Sequence, residues 1–143
     1  MSDYPDDYAS PQFKELGVWR VASGSTHFAL AAFRPVFTIT GKGEIRGGLI
    51  EIHSSTLVVT DAFTLQIDGE NLNSHILSDF KNLALYPGSG ALMWCNCYAG
   101  TGNMYSFGLA SGMTFMTSFS LMFEPTDAAD RDVDYDVSYS LIV

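Results

Sequence analysis

The sequence predicts an all-β fold, a jelly-roll-like β-sandwich of about eight to ten antiparallel strands with one short helix. Short segments alternate apolar and polar residues, glycine and proline separate them, and only one segment has helical periodicity. A chain of 143 residues can bury a core without a disulfide or metal. We expect residues 13–143 to form one domain and the polar residues 1–12 to form an arm that orders against a partner.

The first strands are predicted in "LGVWRV", "HFALAAF", "PVFTIT" and "GLIEIH", with breaks at Pro35 and in the glycine-rich stretch 41–48. That stretch is not a phosphate-binding loop, because an apolar strand rather than a helix follows it. We instead expect Gly41 and Gly43 to support a turn or bulge. Gly47 and Gly48 are expected where another chain segment passes closely.

The clearest alternation is "LVVTDAFTLQID", which predicts a strand ending at an Asp68-Gly69 turn. The helix candidate follows at residues 74–84, with Ser74 as its cap and Pro87 beyond its end. Its predicted apolar stripe contains Ile76, Leu77, Phe80 and Leu83.

Four further strands are predicted in "ALMWCNCY", "MYSFGL", "GMTFMTSFSLMFE" and "DVDYDVSYSLIV". In the last one, the side chains expected to share one face are Val133, Tyr135, Val137, Tyr139 and Leu141. Cys95 and Cys97, two apart on an extended strand, are expected to share a face as buried, reduced thiols, at or beyond disulfide reach.

Charge is scarce and uneven along the chain. The net charge is −9, from 16 acids and 7 bases, which argues against a nucleic-acid partner. No Asp, Glu, Lys, Arg or His occurs between Asn82 and Phe123. We interpret this region as strands with one face in the core and a neutral face against another subunit, because interface cores are depleted of charge. The predicted partners are therefore further copies of this chain.

A neutral exposed sheet and a membrane helix are the alternatives for this uncharged region. Residues 104–123 have the length of a membrane span and contain Gly108-x-x-x-Gly112. Ser and Thr at alternate positions favour a strand, so we expect no membrane contact. The N-terminus has neither the basic region nor the apolar run of a signal peptide, which predicts synthesis in the cytoplasm.

No catalytic, cofactor-binding or strong metal motif is present, so we expect no enzyme activity and no cofactor. Asp130, Asp132 and Asp134 have the spacing that opens a calcium loop, but Tyr135 and Leu141 stand where glycine and glutamate are needed. These three aspartates are weak candidates for a calcium site, the alternative being a loop and a wet strand face. His27, His53 and His75 lie on different elements without metal-binding spacing.

The aromatic residues allow a second type of site. Trp19, Trp94 and Tyr98 are the candidates for stacking on a sugar, with packing in the core as the alternative. If the chain instead associates with other subunits, the candidate interface residues are Tyr4, Tyr8, Phe13, Met116 and Met122.

The segments "GEIRGGLIEI", "DAFTLQIDGENL", "FMTSFSLMFE" and "VDYDVSYSLIV" resemble the small β-sandwich accessory proteins of tailed bacteriophage particles. The resemblance covers roughly residues 40 to 143 and includes an Ile-Asp-Gly turn, a short helix and a closing strand rich in tyrosine. It implies a non-enzymatic virion component, often trimeric, that decorates or cements the capsid by binding the major capsid protein or another virion protein. A tail or adaptor component and a carbohydrate-binding or receptor-binding module are the alternatives.

Overall fold

The computed structural model describes residues 18–29, 31–54, 60–86, 88–100, 104–127 and 130–142. These residues form two antiparallel sheets and a short helix, which confirms the predicted all-β sandwich. The elements are β1 (Val18–Phe28), β2 (Arg34–Thr40), β3 (Gly43–Ser54), β4 (Ala62–Ile67), β5 (Glu70–Ile76), α1 (Leu77–Asn82), β6 (Met93–Gly100), β7 (Met104–Leu109), β8 (Thr114–Phe115), β9 (Ser118–Glu124) and β10 (Arg131–Leu141).

The strand order is that of a jelly roll. The larger sheet has the order β1-β10-β3-β7-β6, with β8 paired to β3, and the smaller sheet has the order β2-β9-β4-β5. The chain crosses between the sheets at each of its first three connections, so strands distant in sequence become neighbours. The four-stranded sheets that define a jelly roll are thus β1-β10-β3-β7 and β2-β9-β4-β5. β6 extends the larger one at its edge.

Phenylalanine is the most frequent residue in the described core between the sheets. Phe63 of the smaller sheet lies with its ring centroid 5.3 Å from that of Phe107 of the larger sheet. Phe28 and Phe123 make a similar edge-to-face contact at 5.0 Å. Such contacts add to the hydrophobic gain of burying the rings and fix the sheets face to face.

The uncharged region forms β6 to β9, as its alternation predicts. In β9 the side chains of Phe119, Leu121 and Phe123 are fully buried in the core, while Ser118 and Ser120 point away from it. The helical alternative for residues 104–123 is therefore wrong. No described helix is long and apolar enough to cross a membrane.

The turn after β4 has the predicted chemistry. Asp68 and Gly69 both have positive φ, 53° and 84°, as a two-residue hairpin turn requires. The Asp68 carboxylate accepts hydrogen bonds from the backbone N–H groups of Met116, Thr117 and Ser118, at 2.7 to 3.2 Å. The Thr117 N–H contributes most to lowering the pKa of Asp68. This turn therefore joins the β4–β5 hairpin to the segment before β9.

The helix lies in the predicted region but is shorter than expected. It begins at Leu77, because Ser74 pairs with Thr64 in the β4–β5 ladder and their hydroxyls are 2.9 Å apart. Ser74 is therefore part of a strand and not a cap. The pairing of Ser74 in the β4–β5 ladder therefore outweighs its local preference for a helix N-cap.

Two bulges overturn local expectations. The register of β3 against β10 shifts at Arg46, so the bulge glycine is Gly47, with φ of 147°. Gly48 lies at a close approach, as predicted, since a Cβ there would be 3.1 Å from side-chain atoms of β7 and β10. Gly43 is a closer one, since a Cβ there would lie 2.0 Å from a backbone oxygen of β10. In β6 the register shifts between Cys95 and Cys97, which places Cys95 against the core and leaves Cys97 exposed. The two thiols therefore do not share a face.

A buried ion pair ties the two sheets together. Asp61, just before β4 of the smaller sheet, contacts the Nε and Nη2 atoms of Arg131, the first residue of β10 in the larger sheet. Both side chains are fully buried. Asp61 also accepts a hydrogen bond from the N–H of Thr126, and Arg131 donates another to Asp127 at 2.7 Å. The charges are thus paired, as burial demands.

Candidate interaction surfaces

The outer face of the smaller sheet is neutral across its middle. Its described side chains there are hydroxyls, amides and one methionine: Thr38, Ser118, Ser120, Met122, Thr64, Gln66, Asn71 and Ser74. Among the described outward side chains of these strands, the charged one is Glu124 at the end of β9. Ser120 and Thr64 point outward but are nearly inaccessible, and each is hydrogen-bonded to a hydroxyl of the adjacent strand.

The polar groups of this neutral face bind one another. The Thr38 hydroxyl is 2.9 Å from that of Ser120. In the next strand pair, the Gln66 amide donates to the Asn71 side chain at 3.0 Å. Because these groups already have partners within the sheet, a covering surface would leave few of them unsatisfied.

The two predicted methionine contacts differ in their surroundings. Met116, in the segment before β9, is 61% exposed, whereas Met122 is only 8% exposed within the outer face of the smaller sheet. Met116 therefore offers more free surface to a partner than Met122 does. Tyr4, Tyr8 and Phe13 lie outside the described residues.

The outer face of the larger sheet is charged. Strands β1, β10 and β3 lie side by side, and their register places His27, Asp132 and His53 in one row. Asp134 and Glu51 are direct partners in the next row. At the edge, His27 Nδ1 lies 2.6 Å from Asp132 Oδ1, and this hydrogen bond is the largest cause that raises the pKa of His27.

The three aspartates predicted as weak calcium ligands do not meet at one point. Asp130 and Asp132 contact His27, at 3.4 and 2.6 Å. Asp134 instead lies 3.2 Å from His53 Nε2, and Glu51 lies 3.5 Å from the same atom. The alternation of "LIEIH" places Glu51 and His53 on one face, but the sequence gives no sign that β10 is their neighbour.

The opposite end of the same face carries Trp19. Its side chain is 64% exposed, and the Arg46 guanidinium lies 5.3 Å from the ring centroid. Arg46 is also 3.5 Å from Glu44. A cavity of about 200 Å³ opens beside Glu44, and its lining includes Lys42, Phe115, Met116, Ser140 and Ile142. An exposed indole flanked by polar groups can stack on a sugar or on a protein side chain.

The predicted sugar-stacking residues lie at opposite edges of the larger sheet. Trp19 is on β1, and Trp94 and Tyr98 are on β6, four strand spacings or roughly 19 Å away across the sheet. Trp94 lies over Gly108, where a Cβ would come within 2.4 Å of its ring nitrogen. Trp19 and Trp94 therefore cannot belong to one continuous platform. Of these two tryptophans, Trp19 is the strongly exposed one.

Comparison with known proteins adds a likeness of fold. No family model and no curated protein matches this sequence. Among solved structures, a chain of the cyanophage Pam1 capsid asymmetric unit is similar, with a TM-score of 0.50 and 17% identity, over 87% of this chain and 86% of that chain. At this identity the likeness establishes the fold, which the two proteins share over most of their length.

Proposed function

We propose that this chain is a non-enzymatic structural protein of a bacteriophage virion, which oligomerises and binds a protein lattice as a decoration or cement protein. The observation that carries the proposal is the jelly-roll fold, which is shared over 87% of the chain with a protein of a cyanophage capsid unit. A trimer is the favoured assembly. Its other partner would be the major capsid protein or another virion protein.

The neutral outer face of the smaller sheet is the best candidate for the contact between copies. The Thr38–Ser120 and Gln66–Asn71 pairs keep their hydrogen bonds when this face is covered. Desolvation therefore costs less here than on the charged face of the larger sheet, where carboxylates would lose water.

The solution mass tests the proposal directly. Light scattering of the purified protein at micromolar concentration is expected to give about three times the chain mass of 15.6 kDa. A protein that stays monomeric across this range contradicts the assembly. A second preparation lacking residues 1–12 is expected to keep its β circular dichroism spectrum but to associate more weakly, and an unchanged mass would rule out a role for the arm.

Trp19 favours a carbohydrate-binding or receptor-binding module as the second candidate function. Its ring is exposed, as sugar stacking requires, and its partner in the β1–β10 ladder, Ser140, lines the nearby cavity. Glycan binding that Trp19→Ala abolishes and Trp94→Ala preserves would support this module. If neither variant nor the parent protein binds a glycan, the virion role stands alone, as a capsid component or as a tail or adaptor component.

A further inference from the structure

The centre of the charged face holds three ligand-type side chains in a compact arrangement. The side chains of Glu51, His53 and Asp134 each offer one donor atom, and these atoms all lie within 4.8 Å of one another. Glu51 and His53 are two apart on β3, and Asp134 is the direct partner of Glu51 on β10. Their relative positions are therefore set by the backbone ladder and not by loop conformation.

The distances from His53 to the two carboxylates match those between neighbouring ligands of a zinc ion. Bonds of about 2.0 to 2.2 Å in tetrahedral geometry place neighbouring ligand atoms about 3.4 Å apart. The distances from His53 Nε2 to the oxygens of Asp134 and Glu51 are 3.2 and 3.5 Å. Both exceed the roughly 2.7 to 2.9 Å of a charge-assisted hydrogen bond. Two of the three separations therefore suit a shared ion, and the third, between the two carboxylates, is no more than 4.8 Å.

His27 provides an internal contrast on the same face. Its Nδ1 lies 2.6 Å from Asp132, the length of a tight hydrogen bond, and its Nε2 lies 3.4 Å from Asp130. The two carboxylates thus contact different nitrogens of His27, whereas both carboxylates near His53 lie close to its Nε2. His53 lies in the same row, on the other side of Asp132, and is held at longer distances from two carboxylates. Two histidines on one acidic face therefore differ in their readiness to coordinate a metal.

We propose that Glu51, His53 and Asp134 bind one divalent transition-metal ion, with zinc as the preferred metal. The imidazole nitrogen favours zinc over calcium, which takes six to eight oxygen ligands. Three protein ligands leave a fourth position for water or for a group from a partner protein. The ion would cross-link β3 and β10. This proposal does not depend on the virion role.

A zinc titration of the full-length protein tests the site. The protein is stripped with EDTA, dialysed, and titrated with zinc chloride by calorimetry in neutral buffer containing calcium. We expect one ion per chain, and a rise in melting temperature because the ion binds only the folded chain. Substitution of zinc by cobalt is expected to give visible absorption bands typical of tetrahedral coordination. Zinc bound at several weak sites per chain, or not at all, would overturn the proposal.

Matched variants separate this site from general attraction of cations to an acidic surface. His53→Ala and Asp134→Asn are each expected to weaken zinc binding by at least about tenfold and to remove the cobalt bands. His27→Ala removes a histidine from the same row and is expected to bind zinc as the parent does. Equal loss in His27→Ala and His53→Ala contradicts the assignment. Glu51→Gln serves as a further ligand variant if either of the first two fails to fold.

Discussion

The outer faces of the two sheets differ in how their polar groups are satisfied. On the smaller sheet, neutral side chains such as Thr38 and Ser120 hydrogen-bond to each other. On the larger sheet, the β10 carboxylates depend on histidines and on solvent, as the His53–Asp134 contact illustrates. Both faces lie over the same phenylalanine core, so the contrast is a property of the outward residues alone.

This difference indicates separate roles for the two faces. When the polar side chains of a face hydrogen-bond to one another, another protein can cover that face at small desolvation cost. A face with clustered carboxylates resists coverage, because each buried charge needs a partner. The charged face is therefore better suited to solvent and to cations, and the neutral face to a subunit contact.

The largest expected effect is on stability, when the buried ion pair that joins the two sheets is removed. Asp61→Ala leaves the buried Arg131 without its main counter-charge, which typically costs about 3 to 5 kcal/mol of unfolding free energy. Urea denaturation measures the loss. Asp136→Ala, which removes an exposed carboxylate from β10, is the control and is expected to change stability little. Equal losses in the two variants would show that the ion pair does not hold the sheets together.

The next effect tests whether the neutral face is the subunit contact. Thr38→Lys places a charge on the edge strand of the smaller sheet and is expected to reduce the mass in solution towards the 15.6 kDa of one chain. Ser25→Lys adds the same charge to the edge strand of the larger sheet and is expected to leave the assembly intact. Dissociation by Ser25→Lys and not by Thr38→Lys would reverse the roles of the two faces.

The sequence predicted which residues alternate, but not which strands become neighbours. The inward positions of β10 and the Asp68-Gly69 turn follow from local periodicity and turn chemistry. The grouping of His53 with Asp134 depends on the pairing of β3 with β10, which joins residues far apart in the chain. No local pattern encodes that pairing, because the jelly roll exchanges strands between sheets at each early connection.

Bulges are the second reason that local patterns fail. One extra residue reverses the alternation of every side chain beyond it. The bulge between Cys95 and Cys97 therefore separates thiols that ideal alternation places together. Arg46, the extra residue in β3, stands next to Gly47, and glycine is the only local sign of that bulge.

The two cysteines report which side of β6 is exposed. Burial, followed by the nearby Cys97, raises the pKa of Cys95 to about 11, so this thiol holds very little thiolate at pH 8. Titration of the native protein with a thiol reagent is expected to modify one cysteine per chain rapidly, and both after denaturation. Cys97→Ser is expected to remove the rapid reaction and Cys95→Ser to preserve it. The opposite result would place the bulge elsewhere.

The smallest effect concerns the pH dependence of the charged face. The hydrogen bond to Asp132 raises the pKa of His27 above its ordinary value of 6.5. The folded state therefore binds this proton more tightly than the unfolded state does. The stabilisation that the His27–Asp132 pair provides is therefore complete below about pH 6.5. It is lost as the pH rises through the raised pKa of His27. Because His27 is exposed, the loss is small.

The comparison of urea midpoints at pH 5.5 and pH 8.5, in EDTA, isolates this contribution. In the parent protein, the histidine adds a loss of stability between the two pH values, and His27→Asn is expected to lack that loss. Thr38→Ser, on the neutral face, is expected to keep the parent's pH dependence, because no titrating group contacts that hydroxyl within the described part of the chain. If His27→Asn and Thr38→Ser respond identically to pH, the His27–Asp132 pair contributes nothing to folding. Ion binding at Glu51, His53 and Asp134 would then be the remaining role that we propose for the charged face.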